Sequence, residues 1–150
     1  MSITRREMCF LLPGLLPVAV ALEAFAAQDT SLPSGAFSLE EAPMHVANNH
    51  AQIRLMMRGK LATGEALEVH ETTLPPGGAP TATTHHHLHS EMWLIREGTI
   101  ELTVSDKKYR LESGSVGFVH SNEEHGIRNV GTMAAVYFVV AVGPGAELQE

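Results

Sequence analysis

The sequence predicts a single all-β domain, either a sandwich or a barrel, from three observations. The first is size and composition, because 150 residues with 44% hydrophobic and 18% charged side chains are ordinary for one globular domain. The second is a series of short apolar or alternating segments at close spacing from residue 51 onward. The third is that glycine or proline stands at nearly every junction between them, while helical periodicity is missing from this part of the sequence.

Eight segments carry the strand signal. In one of them Ile100, Leu102 and Val104 alternate with polar residues, which is the period-two pattern of a half-buried strand. Residues 105–108 then have the composition of a hairpin turn. The segment 134–142 is apolar on both faces, so we expect it to lie deep, between two layers. The predicted strands are 53–58, 66–74, 91–96, 99–104, 109–111, 115–119, 127–129 and 134–142.

The first 26 residues have the anatomy of a signal peptide. Arg5 and Arg6 give a positive start, an apolar stretch runs over 9–22, and Ala26 ends an Ala-Phe-Ala sequence after which we expect cleavage. The apolar stretch is roughly 14 residues long, too short for a membrane span of about 20 residues. The arginine pair favours a twin-arginine signal, with a general secretory signal and an uncleaved anchor as alternatives. We therefore expect an exported protein, periplasmic or secreted.

The rest of the sequence divides into three parts. Residues 27–50 lack periodicity and contain scattered proline, glycine and asparagine, which is typical of an arm lying over the domain. Residues 51–143 contain all the predicted strands of the barrel, and 144–150 form a C-terminal tail. The net charge of −7 and the lack of a lysine or arginine cluster argue against nucleic acid as a partner. We expect no membrane partner for the mature chain.

Histidine is the unusual residue type, because six of the nine histidines lie between residues 85 and 125. On an extended backbone His85 and His87 point to one face, and Glu91 shares their parity if the chain stays extended. His125 is the natural fourth ligand, from another strand. The alternatives to a reactive metal site are a solvated histidine-rich loop and a purely structural metal. Closed structural zinc sites usually recruit cysteine, and the one cysteine, Cys9, lies in the predicted signal peptide.

Two motifs in this region resemble those of the cupin superfamily. The first is His85-x-His87-x3-Glu91-x6-Gly98, and the second is Gly114-x5-His120-x-Asn122-x2-His125-x3-Asn129. The sequence departs from the family pattern at His120, where proline is usual, and at Asn122, where glycine is usual. Because asparagine tolerates a left-handed backbone conformation, the turn of the second motif can survive. The leading glycine of the first motif, Gly78, lies one residue further from His85 than the pattern asks.

The resemblance implies a double-stranded β-helix, the jelly-roll barrel of cupins, as a single domain with an N-terminal arm. Carried over residue by residue, it makes His85, His87, Glu91 and His125 the ligands of one divalent transition metal, which is Fe, Mn, Ni, Cu or Zn. It implies a metal-dependent enzyme, a dioxygenase or related oxidoreductase acting on a small organic molecule, in which Glu91 also moves a proton. The alternatives are a metal-bearing binding or sensing module for a carbohydrate or carboxylate, and a metal-dependent lyase or isomerase. Since single-domain cupins commonly dimerise, a homodimer is also expected.

Several other side chains near the motifs have roles that the sequence leaves open. His86 and His89 are expected outside the ligand set. His89 faces the same side of the extended chain as His85 and His87, so it is expected to lie nearer the metal than His86. His120 is either an exposed turn residue or an imidazole near the mouth of the barrel. Trp93 is expected to line the interior, through core packing or substrate contact. Three arginines hold an anionic substrate or are solvated strand residues, and these are Arg54, Arg58 and Arg96.

Overall fold

The computed structural model describes residues 31–47 and 49–146, which form nine strands in two antiparallel sheets. The larger sheet has the order β1-β2-β3-β9-β4-β7 and the smaller one the order β6-β5-β8. Within the described residues, no helix is long and apolar enough to cross a membrane. The strands are β1 (Met44–Val46), β2 (Gln52–Lys60), β3 (Ala66–Leu74), β4 (Ser90–Glu97), β5 (Thr99–Val104), β6 (Lys107–Glu112), β7 (Val116–Val119), β8 (His125–Asn129) and β9 (Ala135–Val142).

The prediction of an all-β jelly-roll fold is confirmed, and each of the eight predicted strands overlaps one of β2 to β9. Strand β9 owes its depth to its neighbours in the sheet, because it lies between β3 and β4. On its inner face Tyr137 and Val139 are buried. On its outer face Phe138 and Val140 are only half-buried, so the strand does not lie between two layers as expected.

The core lies between the two sheets. The larger sheet contributes Leu74, Trp93 and Ile95, and the smaller one Ile100 and Leu102, all at most 4% exposed. Full burial of such a side chain stabilises the fold by about 1.5–3 kcal/mol relative to leaving it exposed. Alternation along β4 and β5 therefore determines which face of each strand packs inward. A polar side chain on the inward face of β4 consequently points into the space between the two sheets.

Gly98 carries the chain from the larger sheet to the smaller one, between β4 and β5. Its φ of 80° is in the left-handed region. A Cβ added at this position would lie 2.8 Å from the carbonyl oxygen of Ala134 and 2.8 Å from Cα of Ala135. Because both neighbours are backbone atoms, only glycine fits, which accounts for the glycine that ends the first motif.

The arm predicted over residues 27–50 lies along the edge of β2. Its strand β1, which the sequence did not predict, pairs with β2 so that His45 lies opposite Ile53. Further along, Ser31 forms a parallel bridge with Lys60. These contacts cover part of the β2 edge, which would otherwise present unpaired backbone groups. The signal-peptide prediction for residues 1–26, the first residues of the arm and the last four residues of the predicted tail lie outside the described residues.

Candidate metal centre

The segment that leads into β4 presents three metal-binding side chains to the interior of the barrel. His85 and His87 precede β4 and are half-buried, whereas Glu91 lies within β4 and is 6% exposed. All three line one cavity between the sheets. Their shared parity on extended backbone places them on this side, as expected from the period of two.

His125 reaches the same place from the smaller sheet, as the first residue of β8. The backbone N–H of His85 donates to the His125 carbonyl at 2.9 Å, and the N–H of His125 donates to the His85 carbonyl at 2.8 Å. Directly opposed residues of an antiparallel pair bring their side chains close together. The two imidazoles accordingly lie with ring centroids 4.7 Å apart.

The turn of the second motif is tied to the segment of the first motif. Asn122 has a φ of 62°, so it adopts the left-handed conformation expected of it, and its N–H donates to the His87 carbonyl at 2.6 Å. The hydroxyl of Ser121 donates to the Leu88 carbonyl at 2.7 Å. These bonds fix the position of the turn, and hence of β8, relative to the histidine-bearing segment.

The donor atoms of the four side chains converge. Nε2 of His125 lies 3.0 Å from Oε2 of Glu91, and Nε2 of His87 lies 3.8 Å from Oε1 of the same carboxylate. One ring nitrogen from each of His85, His87 and His125 lies within 4.8 Å of the other two. In an octahedral site with bonds of roughly 2.1 Å, adjacent donors are about 3.0 Å apart and opposite donors about 4.2 Å. Glu91 forms a second group of close donor atoms with His87 and His89, so two overlapping sets that share His87 have the spacing and chemistry to hold a transition-metal ion.

The protonation of His85 and His87 suits metal binding. Burial lowers the pKa of His85, the charge of His125 lowers it further, and burial also lowers the pKa of His87. Both rings are therefore neutral near pH 7 and offer a lone pair. Burial opposes protonation of His125 as well, but hydrogen bonds to Glu91 and to the Glu123 carbonyl outweigh it and raise its pKa. Since Nδ1 of His125 lies 2.9 Å from that carbonyl, Nε2 is the atom that faces Glu91.

The three remaining histidines of this region occupy different environments. His89 is 5% exposed, its Nε2 lies 3.4 Å from Oε1 of Glu91, and its ring stacks on that of His87. The His89 ring therefore lies against the Glu91 carboxylate, on the side of the chain that the sequence predicted. His86 is exposed. His120 is also exposed and packs edge-on against Phe118, which corresponds to an exposed turn residue.

The cavity beside these side chains has a volume of about 590 Å³. Trp93, Ile127 and Val139 form an apolar part of its wall. Trp93 is 3% exposed, and its ring centroid lies 5.5 Å from that of His125. The indole therefore belongs both to the core and to the wall of the cavity. A cavity of this size and apolar character is typical of a small-molecule site.

Tyr137 places a hydroxyl group in the same wall. Its oxygen is fully buried next to Thr72, and it makes no hydrogen bond of normal geometry within residues 31–47 and 49–146. Burial raises the pKa of Tyr137 far above its usual range, so the group remains an O–H donor at neutral pH. A ligand in the cavity could accept this hydrogen bond.

A second polar cluster lines the cavity on β2 and β3. Nε of Arg58 donates to Oε2 of Glu68 at 2.5 Å, and Nδ1 of His70 lies 2.9 Å from Oε1 of the same carboxylate. Glu68 is 2% exposed, whereas the side chain of Arg58 is 35% exposed. The sequence left Arg58 open between two roles and gave no signal for Glu68 or His70, because no motif includes them.

The other two arginines have different surroundings, and neither of them lines the cavity. Nη1 of Arg54 donates to the Ala42 carbonyl at 3.3 Å. Nη1 of Arg96 donates to Oε2 of Glu71 at 2.6 Å. Glu71 is 5% exposed and lies within β3, on the face of the strand opposite to that of Glu68. The Arg96 pair is therefore a close counterpart of the Arg58 pair on the other face of the sheet.

Comparison with known proteins places residues 70–141 in a family. They match Cupin_2, described as the cupin domain. Mannose-1-phosphate guanylyltransferases from Klebsiella pneumoniae and Escherichia coli are each 36% identical to this chain over 63 residues. That segment is 42% of this chain and 13% of each relative, so the chain corresponds to a small part of these enzymes.

Solved structures resemble the fold over most of the chain. A predicted oxalate decarboxylase from Thermotoga maritima has a TM-score of 0.62 at 18% identity, covering 73% of this chain and 99% of the other. An RmlC-like cupin from Shewanella frigidimarina has a TM-score of 0.62 at 17% identity, with coverages of 77% and 97%. KdgF from a Halomonas species has a TM-score of 0.61 at 16% identity, with coverages of 73% and 94%. The family match and the shared fold together identify residues 70–141 as a cupin domain within a cupin-like fold.

Proposed function

We propose that this protein is a metal-dependent cupin enzyme that acts on a small organic molecule. Its one divalent transition metal would be held by His85, His87, Glu91 and His125, and Fe, Mn, Ni, Cu and Zn all suit this ligand set. The observation that carries the proposal is the convergence of three imidazoles and a buried carboxylate on the wall of a 590 Å³ cavity. Four protein ligands leave two positions of an octahedral ion for substrate.

We propose that the enzyme is a dioxygenase or a related oxidoreductase. A bound metal would supply a Lewis acid for the oxygen atoms of substrate or dioxygen. Glu91 lies 3.4 Å from the buried imidazole of His89, so it can accept a proton from the substrate and share it with that ring. Trp93 and its apolar neighbours exclude water from the reacting atoms. The signal-like sequence of residues 1–26 leads us to propose that this chemistry occurs outside the cytoplasm.

A second candidate is a metal-bearing module that binds a carboxylate without converting it. The observation that favours it is the arginine on the cavity wall, since Arg58 gives the cavity a group suited to a carboxylate. A metal-dependent lyase is the catalytic form of this alternative, and one structural relative is described as a predicted oxalate decarboxylase.

Oxygen uptake and ligand turnover, measured together, separate the two candidates. The metal-loaded protein is incubated with a panel of small carboxylates, phenols and diols, while dissolved oxygen is recorded and the ligand is followed by NMR. We expect at least one compound to be consumed with oxygen, and we expect Glu91→Gln to abolish this consumption because it removes both a ligand and the proton acceptor. His86→Ala is the matched control, because His86 is exposed and should retain full activity. A compound that binds but survives long incubation would contradict the enzyme and favour the binding module, while turnover without oxygen uptake would indicate a lyase.

A further inference from the structure

We propose that Arg58, with Glu68 and His70, forms a second binding site in the cavity and holds the carboxylate of an organic acid. The inference rests on the proposed function, because it names the class of substrate that the metal-bearing cavity accepts.

The sheet places the second cluster across the cavity from Glu91. Arg58 pairs with Glu68 on the neighbouring strand, Glu68 pairs with Ala141 on β9, and Ala141 pairs with Glu91 on β4. Neighbouring strands lie about 4.8 Å apart, so two steps separate Glu68 and Glu91 by about 10 Å along one row. Arg58 lies one strand further away, but its side chain reaches back to Glu68, so an organic acid of a few carbons bound to the guanidinium would extend toward the metal ligands.

A β-bulge in β2 turns Arg58 into the cavity. The cavity-lining residues Ile53 and Leu55 pair with Thr72 and His70, and the register then shifts between Leu55 and Met57. Without this shift, strict alternation would place Met57 in the cavity and Arg58 on the outer face. Bulges are common beside active sites, where they redirect a side chain. The extra residue therefore replaces an apolar side chain of the cavity wall with a guanidinium group.

Arg58 has unused donors. Nε is bonded to Glu68, but Nη1 and Nη2 make no hydrogen bond within the described ranges 31–47 and 49–146. A guanidinium carries five N–H donors in a planar fork and binds carboxylates through two parallel bonds. Since Nδ1 of His70 is engaged with Glu68, its Nε2 is the ring atom left for a ligand. The cluster thus offers three nitrogen atoms to an anion.

The charge of the cavity favours an anion as well. Arg58 and Glu68 cancel each other, and a divalent cation held by Glu91 and three neutral imidazoles would leave a net charge of +1. The chain as a whole carries −7, so the metal-loaded cavity would be opposite in sign to its surroundings. The Arg58–Glu68 pair has only its carboxylate buried, and such a pair is weak support for stability, because apolar replacements of ion pairs are often equally stable. Binding of an anionic ligand would explain why this ion pair is present in the cavity wall.

Calorimetric titration with succinate and its uncharged diamide, succinamide, tests the proposal. The protein is used as purified, with its metal content measured. We expect Arg58→Gln to weaken succinate binding by roughly tenfold or more, because the charge-assisted bidentate contact is lost. Succinamide should bind equally to both proteins. Arg96→Gln is the matched control, since it breaks an equivalent pair with a buried glutamate outside the cavity, and it should leave succinate affinity unchanged.

Two further variants distinguish the loss of an anion site from a loss of folding. Arg58→Gln leaves Glu68 as a buried unpaired carboxylate, so the double variant R58Q/E68Q, which replaces both charges by amides, should show the same loss of succinate binding. Glu68→Gln alone keeps Arg58 and removes the carboxylate that competes with a bound anion for its guanidinium group. We expect this variant to bind succinate several-fold more tightly than wild type, which a merely structural pair would not do.

Several results would overturn the inference. They are unchanged succinate affinity in Arg58→Gln, a similar loss in Arg96→Gln, or no binding of succinate to wild type at millimolar concentration. The same titration in His125→Ala separates this inference from the proposed function. If His125→Ala contains no metal and still binds succinate, and adding Arg58→Gln to that variant removes the binding, then the anion site exists independently of the metal site. If wild type turns over a ligand but Arg58→Gln binds it equally well, only the anion site is wrong.

Discussion

Replacing His87 or His125 with alanine is expected to abolish tight binding of a transition metal. Each substitution removes one of four ligands, and the loss should exceed the ~10–100-fold that follows loss of an outer-shell partner. Stability should change with it, because a ligand present at 100 times its Kd stabilises the folded state by about 2.7 kcal/mol. Titration of the metal-free protein with Zn²⁺, together with thermal unfolding with and without the ion, measures both effects.

The control for these variants is His86→Ala, which alters the same histidine run at an exposed position and should bind Zn²⁺ like wild type. His87 is half-buried while His125 is 3% exposed, so His87→Ala tests the ligand role with less damage to packing. In chelator, His87→Ala and wild type should unfold at similar temperatures. Equal Zn²⁺ affinity in wild type and His87→Ala would contradict the ligand set.

Replacing Asn129 with alanine is expected to destabilise the fold by about 2–3 kcal/mol, because a buried partner left without a hydrogen bond costs about 1–3 kcal/mol. Its Nδ2 donates to the carbonyls of Leu74 and Met133 at 2.9 and 2.8 Å, and its Oδ1 accepts from the N–H of Gly131 at 2.9 Å. The side chain is 1% exposed and its bond to the Leu74 carbonyl is buried, so water cannot take over that bond. Denaturant unfolding of the variant measures the loss.

Asn49 provides the comparison for this prediction. Its Nδ2 donates to the Ala79 carbonyl at 2.7 Å and its Oδ1 accepts from the N–H of Ala51 at 3.0 Å, an arrangement similar to that of Asn129. Asn49 is half-buried, so water can replace the lost bonds, and Asn49→Ala should cost about 1 kcal/mol or less. Equal losses in the two variants would show that burial does not determine the cost.

The parts of this fold that sequence predicts are those governed by local periodicity. Alternation along Ile100, Leu102 and Val104 predicts a half-buried strand, and the structure has β5 there with its inner residues buried. The same period of two predicts that His85, His87 and Glu91 share a face, and the structure has them on one cavity. The jelly-roll arrangement depends on long-range pairing, so it was accessible only through the resemblance of the two motifs to cupins.

The parts that sequence did not predict depend on irregular or long-range pairing. The bulge beside Met56 has no local signature, and it reverses the parity that alternation assigns to Arg58. Strand β1 is three residues long and forms only because the arm meets the edge of β2, so no periodicity reveals it. His70 and Glu68 become a cluster with Arg58 through cross-strand neighbours, which requires the register of β2 on β3.

Elemental analysis of the protein purified from its own host, without an affinity tag and without added metal, tests the central claim most directly. We predict about one equivalent of Fe, Mn, Ni, Cu or Zn per chain, because four converging ligands are expected to hold one ion through purification. The metal should be lost from His87→Ala purified in the same way and retained by His86→Ala. A wild-type preparation that holds no transition metal and takes up none when it is added would contradict the account.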